Sequence, residues 1–67
     1  MIEIKFKESQ YNFYIESGVT VKMLKCMLFD VLKVRIEAQQ LIYNRFPLLD
    51  ESIAPREGRI VLVLQLA

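Results

Sequence analysis

Cys26 is the only thiol in the chain, and there is no histidine to act as its base. Covalent catalysis by cysteine needs a neighbouring base or a specifically lowered pKa. A lone cysteine in a chain that is 54% hydrophobic reads instead as a small buried hydrophobe. One Cys without His also makes no zinc site. The eight carboxylates are scattered singly, whereas acid–base catalysis needs a pair held in a cleft. Gly18 and Gly58 are far apart and form no phosphate-cradling loop. Tyr11, Tyr14 and Tyr43 fall in strand-like stretches and read as packing residues. The expectation is a non-enzyme with no catalytic residue, metal or cofactor.

The basic residues point the same way. Nine Lys and Arg against eight Asp and Glu leave a net charge of +1, with no long run of one sign. Binding driven by phosphate neutralisation needs a concentrated basic surface. Direct nucleic-acid binding is therefore not expected, except through a ribonucleoprotein assembly. Met1-Ile2-Glu3-Ile4-Lys5-Phe6-Lys7 alternates and does not resemble a signal peptide. No apolar run approaches the 18 residues of a membrane span. With an unpaired cysteine, these features predict a reducing compartment, cytoplasmic or nuclear, and no direct membrane contact.

The surrounding pattern is that of a single small domain over residues 1–67. Ile2, Ile4 and Phe6 alternate with polar residues, as do Tyr11, Phe13 and Ile15, which predicts an antiparallel hairpin. Glu8-Ser9-Gln10 lacks the Gly or Asn of a two-residue loop, so a longer turn is expected. Thr20 is a candidate N-cap for a helix from Val21 to about Lys33. Val21, Leu24, Leu28, Val31 and Leu32 form one stripe at helical spacing, leaving Met23, Cys26 and Met27 on the far side. After a return loop at Val34–Ala38, residues 40–43 read as a strand. Pro47, Pro55 and Gly58 punctuate an irregular segment from Asn44 to Arg59. The last seven residues before Ala67 form a final strand, apolar at nearly every position, as in a strand inside a sheet. Parallel pairing of this strand with the first would make it central. The predicted fold class is α+β: a β-grasp with a mixed sheet of four to five strands and one helix packed across it, its core built on Leu24, Leu28, Leu41 and Leu62.

Gln39-Gln40-Leu41-Ile42-Tyr43-Asn44-Arg45, followed by Pro47-Leu48-Leu49-Asp50, resembles the middle of ubiquitin and its relatives. There a Gln-Gln-x-Leu-Ile-Phe strand leads through a turn to a Leu-x-Asp segment. The resemblance implies the same β-grasp fold and a role in binding other proteins. It places the isoleucine of ubiquitin's recognition patch on Ile42, the patch valine on Val63 and the patch histidine on Val61. The patch leucine falls in a hairpin turn that offers only Glu8 or Ser9 here. The half-buried helix lysine falls on Lys25, and its acidic partner on Asp50. Phe46 stands where ubiquitin carries its most used chain-forming lysine, and Arg45 replaces the glycine before it. The chain ends Leu64-Gln65-Leu66-Ala67, without the Gly-Gly that conjugation or sulfur transfer requires.

Two expectations follow for the surface. If Leu41, Ile60, Leu62 and Leu64 face the helix, strand alternation turns Ile42, Val61 and Val63 outward. With Phe46 they would form an apolar patch of the kind that marks an interface. Met23 and Met27 are candidates for a second surface, since methionine suits adaptable contacts. The expected function is a non-conjugating ubiquitin-like binding module or complex subunit. The alternative is a modifier or β-grasp sulfur carrier whose Gly-Gly lies outside these residues.

Overall fold

The computed structural model describes residues 1–65. Leu66 and Ala67, the end of the expected last strand, lie outside the described residues. In chain order the elements are β1 (Ile2–Phe6), β2 (Ser9–Phe13), α1 (Val21–Leu32), a short 3-10 turn (Ile36–Ala38), β3 (Gln39–Tyr43), β4 (Phe46–Pro47) and β5 (Gly58–Leu64). The five strands form one sheet in the order β2-β1-β5-β3-β4. β5 is central, parallel to β1 and antiparallel to β3. With α1 over one face, this is the α+β, ubiquitin-like β-grasp architecture expected from the sequence.

The alternating side chains build the core. Ile2, Ile4, Leu41, Ile60 and Leu62 point from three adjacent strands toward Val21, Leu24 and Leu28 of α1, all almost fully buried. Tyr11 and Phe13 of β2 pack on the margin of this cluster. Leu64 shares the register side of Ile60 and Leu62 but is exposed, correcting its expected burial. β1 ends at Phe6, opposite Leu62, so no strand flanks Leu64 on that side.

Other local expectations are corrected as well. The hairpin turn is short, since Phe6 pairs with Ser9 across only Lys7 and Glu8. Lys7 takes φ 56°, the left-handed conformation that tight hairpin turns require at their first central position. The helix is turned further toward Lys25 than the apolar stripe implied. Lys25 is buried, whereas Val31 is half exposed; Cys26 lies on the surface, on the far side of the stripe and not as a buried hydrophobe. Met27 does not sit on the far side but packs, partly buried, against the core. The segment after Asn44 contains the two-residue strand β4, set by a tight turn in which Asn44 and Arg45 both have positive φ.

Thr20 caps α1, its Oγ1 accepting from the Met23 N–H at 3.2 Å. The loop after β4 completes the cap. Val21 N–H donates to the Ser52 carbonyl at 2.8 Å, and Lys22 N–H to the Asp50 carbonyl at 3.1 Å. Three of the four donors that a helix start leaves open are thus satisfied. At the other end Lys33 adopts φ 60° and its N–H bonds the Phe29 carbonyl, as in a left-handed C-cap.

Leu28 is fully buried where helix and sheet meet. Leu28→Ala should cost about 2–5 kcal/mol through lost transfer energy and a residual cavity. Thermal or urea melts should show a large loss of stability or no cooperative transition; a melt like that of the unsubstituted chain would put the helix in another register.

Candidate protein-binding face

α1 covers one face of the sheet; the described residues place no second layer on the other. On that open face the strand register aligns five side chains in one row: Gln10 beside Lys5, Lys5 beside Val61, Val61 beside Ile42 and Ile42 beside Pro47. Val63, one row along on β5, lies opposite Gln40 of β3. The row on the other side holds Asn12, Glu3 and Arg59. The open face is therefore divided. Its β2–β1 half is polar, and its β5–β3–β4 half presents Val61, Val63, Ile42 and Pro47.

The exposures agree with this division. Val61 is 37% and Val63 is 40% exposed, while Ile60 and Leu62 between them are almost wholly buried. Ile42 is half-buried between β5 and β4. On the polar half, Arg59 donates through Nε to Glu3 Oε2, an ion pair between neighbouring strands. This bond occupies the carboxylate of Glu3 and leaves Lys5 without an ion-pair partner among the described residues.

Phe46 is placed differently from Ile42, Val61 and Val63. The register pairs it with Tyr43, and Pro47 with Ile42. Phe46 is 71% exposed at the sheet edge, in a register row of the opposite parity. Met23 is 52% exposed on α1, while Met27 is half-buried beside it. The capping loop exposes two further apolar side chains, Ile53 and Leu49. Ile53 forms a bridge with Thr20, and Leu49 closes the same loop through the Ser52 N–H. Both side chains are largely exposed.

A polar cluster fixes the face from behind. Lys25 Nζ lies 2.7 Å from Asp50 Oδ1, with the lysine side chain 11% and the carboxylate 43% exposed. Gln39, at the start of β3, is buried, and its Nε2 donates to the carbonyls of Lys25 and Val34, each at 2.9 Å. These contacts tie α1 to both the capping loop and the strand that carries Ile42. Gln39 went unnoticed as a structural residue because a glutamine in a strand ordinarily signals solvent. Its neighbour Gln40, facing the open side, fits that rule.

The start of β5 is fixed by another close contact. Tyr43 Oη donates to the Glu57 carbonyl at 3.0 Å. Gly58 has φ +101°, and a Cβ there would come within 3.2 Å of the Tyr43 ring.

The described residues hold no group of three or more His, Cys, Asp or Glu side chains suited to a metal. No described helix is long and apolar enough to cross a membrane.

No protein-family model and no curated protein matches the chain. Its fold does match solved structures. A crystal structure described as ATBAG1 in complex with HSP70 superposes with a TM-score of 0.86 at 17% sequence identity, covering 96% of this chain. The chain spans 39% of the length of that one. At this identity the likeness is one of fold. The architecture recurs in 177 matching chains, so the surface residues must carry any functional argument.

Two predictions test the supports of the face. Asp50→Ala leaves a largely buried ammonium without its partner and should cost about 1–3 kcal/mol. It should also speed hydrogen exchange at the Lys22 amide, which donates to the Asp50 carbonyl; unchanged exchange would separate the ion pair from the cap. Gly58→Ala forces a Cβ into the left-handed region and against Tyr43, a loss of about 1–2 kcal/mol. Chemical denaturation measures it, and an unchanged midpoint would contradict the contact.

Proposed function

We propose that this chain is a non-catalytic, ubiquitin-like protein-interaction module that engages a partner protein through the open face of its sheet. The observation that carries the reading is the clustering of Ile42, Val61 and Val63 on adjacent strands. Ile42 and Val61 are register partners, and Val63 is the next outward residue of β5. Isolated exposed aliphatics are ordinary, but contiguous ones mark contact surfaces.

The backbone at Val61 and Ile42 is already paired on both sides, by β1 and β3 and by β5 and β4. A partner therefore meets side chains and cannot extend the sheet at this point. Recognition by side chains suits a segment that satisfies its own backbone, such as an amphipathic helix. The resemblance to ubiquitin supports the same surface. The complex with HSP70 described for ATBAG1 accords with a protein partner for a chain that contains this fold. On this reading the protein works in a reducing compartment, as part of a larger assembly.

Ile42→Ala with Val63→Ala tests the proposal. Burying a large aliphatic side chain contributes roughly 1.5–3 kcal/mol. The double variant should weaken a native partner by about two orders of magnitude, and its melting temperature should hardly move because neither side chain is in the core. Unchanged affinity in a folded double variant would refute the assignment.

A further inference from the structure

We infer that β2 is a self-association strand: two copies of this chain pair antiparallel along it, centred on Tyr11, and make one continuous sheet. The contact goes beyond the binding face proposed above, which lies at the other end of the sheet.

The sheet has two edges, β2 and β4, and they are built differently. β4 is two residues long, and one of them is Pro47, which has no N–H to offer. β2 runs Ser9-Gln10-Tyr11-Asn12-Phe13 without a charge, a proline or a break in its register with β1. Charges, prolines and bulges are the devices that keep an exposed edge from pairing. In a two-residue hairpin the pair flanking the turn, here Phe6 and Ser9, exchanges backbone hydrogen bonds, and such pairs alternate along the ladder. Ser9, Tyr11 and Phe13 therefore turn their backbone groups toward β1. Gln10 and Asn12 turn theirs outward, where no strand of the chain meets them.

The strand is complementary to itself. A two-fold axis at Tyr11 sets Gln10 of each copy opposite Asn12 of the other, and each such pair exchanges two N–H···O=C bonds. The two carboxamides, both on the open face, are donor and acceptor for one another. On the helix side Tyr11 meets Tyr11 of the second copy as a close pair without backbone bonds, and Phe13 stands beside Ser9. No charged residue of either strand faces a like charge. One residue beyond the strand, the exposed Tyr14 comes opposite Glu8 of the second copy, a phenol donor for a carboxylate.

The helix supplies a second reason. The Lys25 side of α1 faces β3 and the capping loop. At 100° per residue Met27 and Val31 lie on the opposite flank, toward β2, and Val31 is half exposed there. The added strand brings Tyr11 and Phe13 of the second copy to this side and shields the flank from water. The patch of Ile42, Val61 and Val63 stays free. Val61 of one copy lies five strand spacings from Val61 of the other, about 24 Å, on the same side of the continuous sheet. A partner with two docking segments would be held by both patches at once.

The isotope-labelled full chain tests this by concentration alone. Sedimentation equilibrium should show the mass rising from that of one chain toward two. Over the same range hydrogen exchange should slow about tenfold or more at the Gln10 and Asn12 amides, while other exposed amides keep their rates. Asn12→Pro removes an outward donor and leaves the ladder to β1 intact; it should weaken association at least tenfold. Asn12→Lys, which charges the edge, should do the same. Ile42→Ala with Val63→Ala should associate like the unsubstituted chain, which separates this contact from the open face. A chain that keeps the mass of one copy at every concentration would overturn the inference. So would a doubled mass with unchanged exchange at residues 10 and 12, or association lost in the Ile42 and Val63 variant and kept in both Asn12 variants. Slowed exchange at these two amides only when cell extract is added would give the edge to a strand of another protein, and would also overturn it.

Discussion

A single helix cannot cover both sides of a five-stranded sheet, and the rest of this structure depends on that limit. The central strand β5 is apolar on both faces, yet α1 shields only one. Ile60 and Leu62 disappear beneath the helix, while Val61 and Val63, their neighbours in the same strand, remain in water. In a domain this small, side chains on the covered face must supply most of the stabilisation. Aliphatics on the other face add little to that core. Their presence in adjacent rows is what a binding face requires.

The polar interior keeps that face in position. Lys25, Asp50 and Gln39 connect α1, the capping loop and β3 by three hydrogen bonds, each 2.7–2.9 Å long. The same loop satisfies the first donors of α1 through the carbonyls of Asp50 and Ser52. The irregular segment between β4 and β5 is thus fixed by the helix it caps. Because β3 carries Ile42 on one side and Gln39 and Leu41 on the other, packing behind the sheet determines how the open face is presented.

Much of this was legible in the sequence, for identifiable reasons. Period-two alternation in residues 2–6 and 11–13 reports a sheet with one buried face, although β2 begins at Ser9 and Tyr14, read as a strand packing residue, lies beyond it and is exposed. The continuous apolar run of β5 reports a strand inside the sheet. What the sequence concealed depends on groups that come together only in the fold. Lys7 and Arg45 adopt positive φ without being glycine, so the two tight turns carried weak signals. Val31 was expected in the buried stripe and is exposed; Cys26 lies on the surface, as the stripe implied and against its reading as a small buried hydrophobe. The rotation of α1 follows from the ion pair of Lys25 and the carbonyl contacts of Gln39, not from the apolar stripe alone. The open face was legible at Ile42, Val61 and Val63, because alternation is a local rule. Phe46 was harder to place, since its side depends on the register of a two-residue strand. The ion pair between Glu3 and Arg59 was hidden by the 56 residues that separate them.

Position-specific photocrosslinking tests the central claim most directly. A photoreactive residue in place of Gln40 sits on the open face beside Val63 without removing the apolar patch. The same residue in place of Asp30 sits on the exposed side of α1. In the cells that make the protein, the account predicts a discrete crosslinked protein adduct from position 40 that is absent from position 30 and lost when Ile42→Ala is added. Adducts confined to position 30, or identical at both positions, would contradict it.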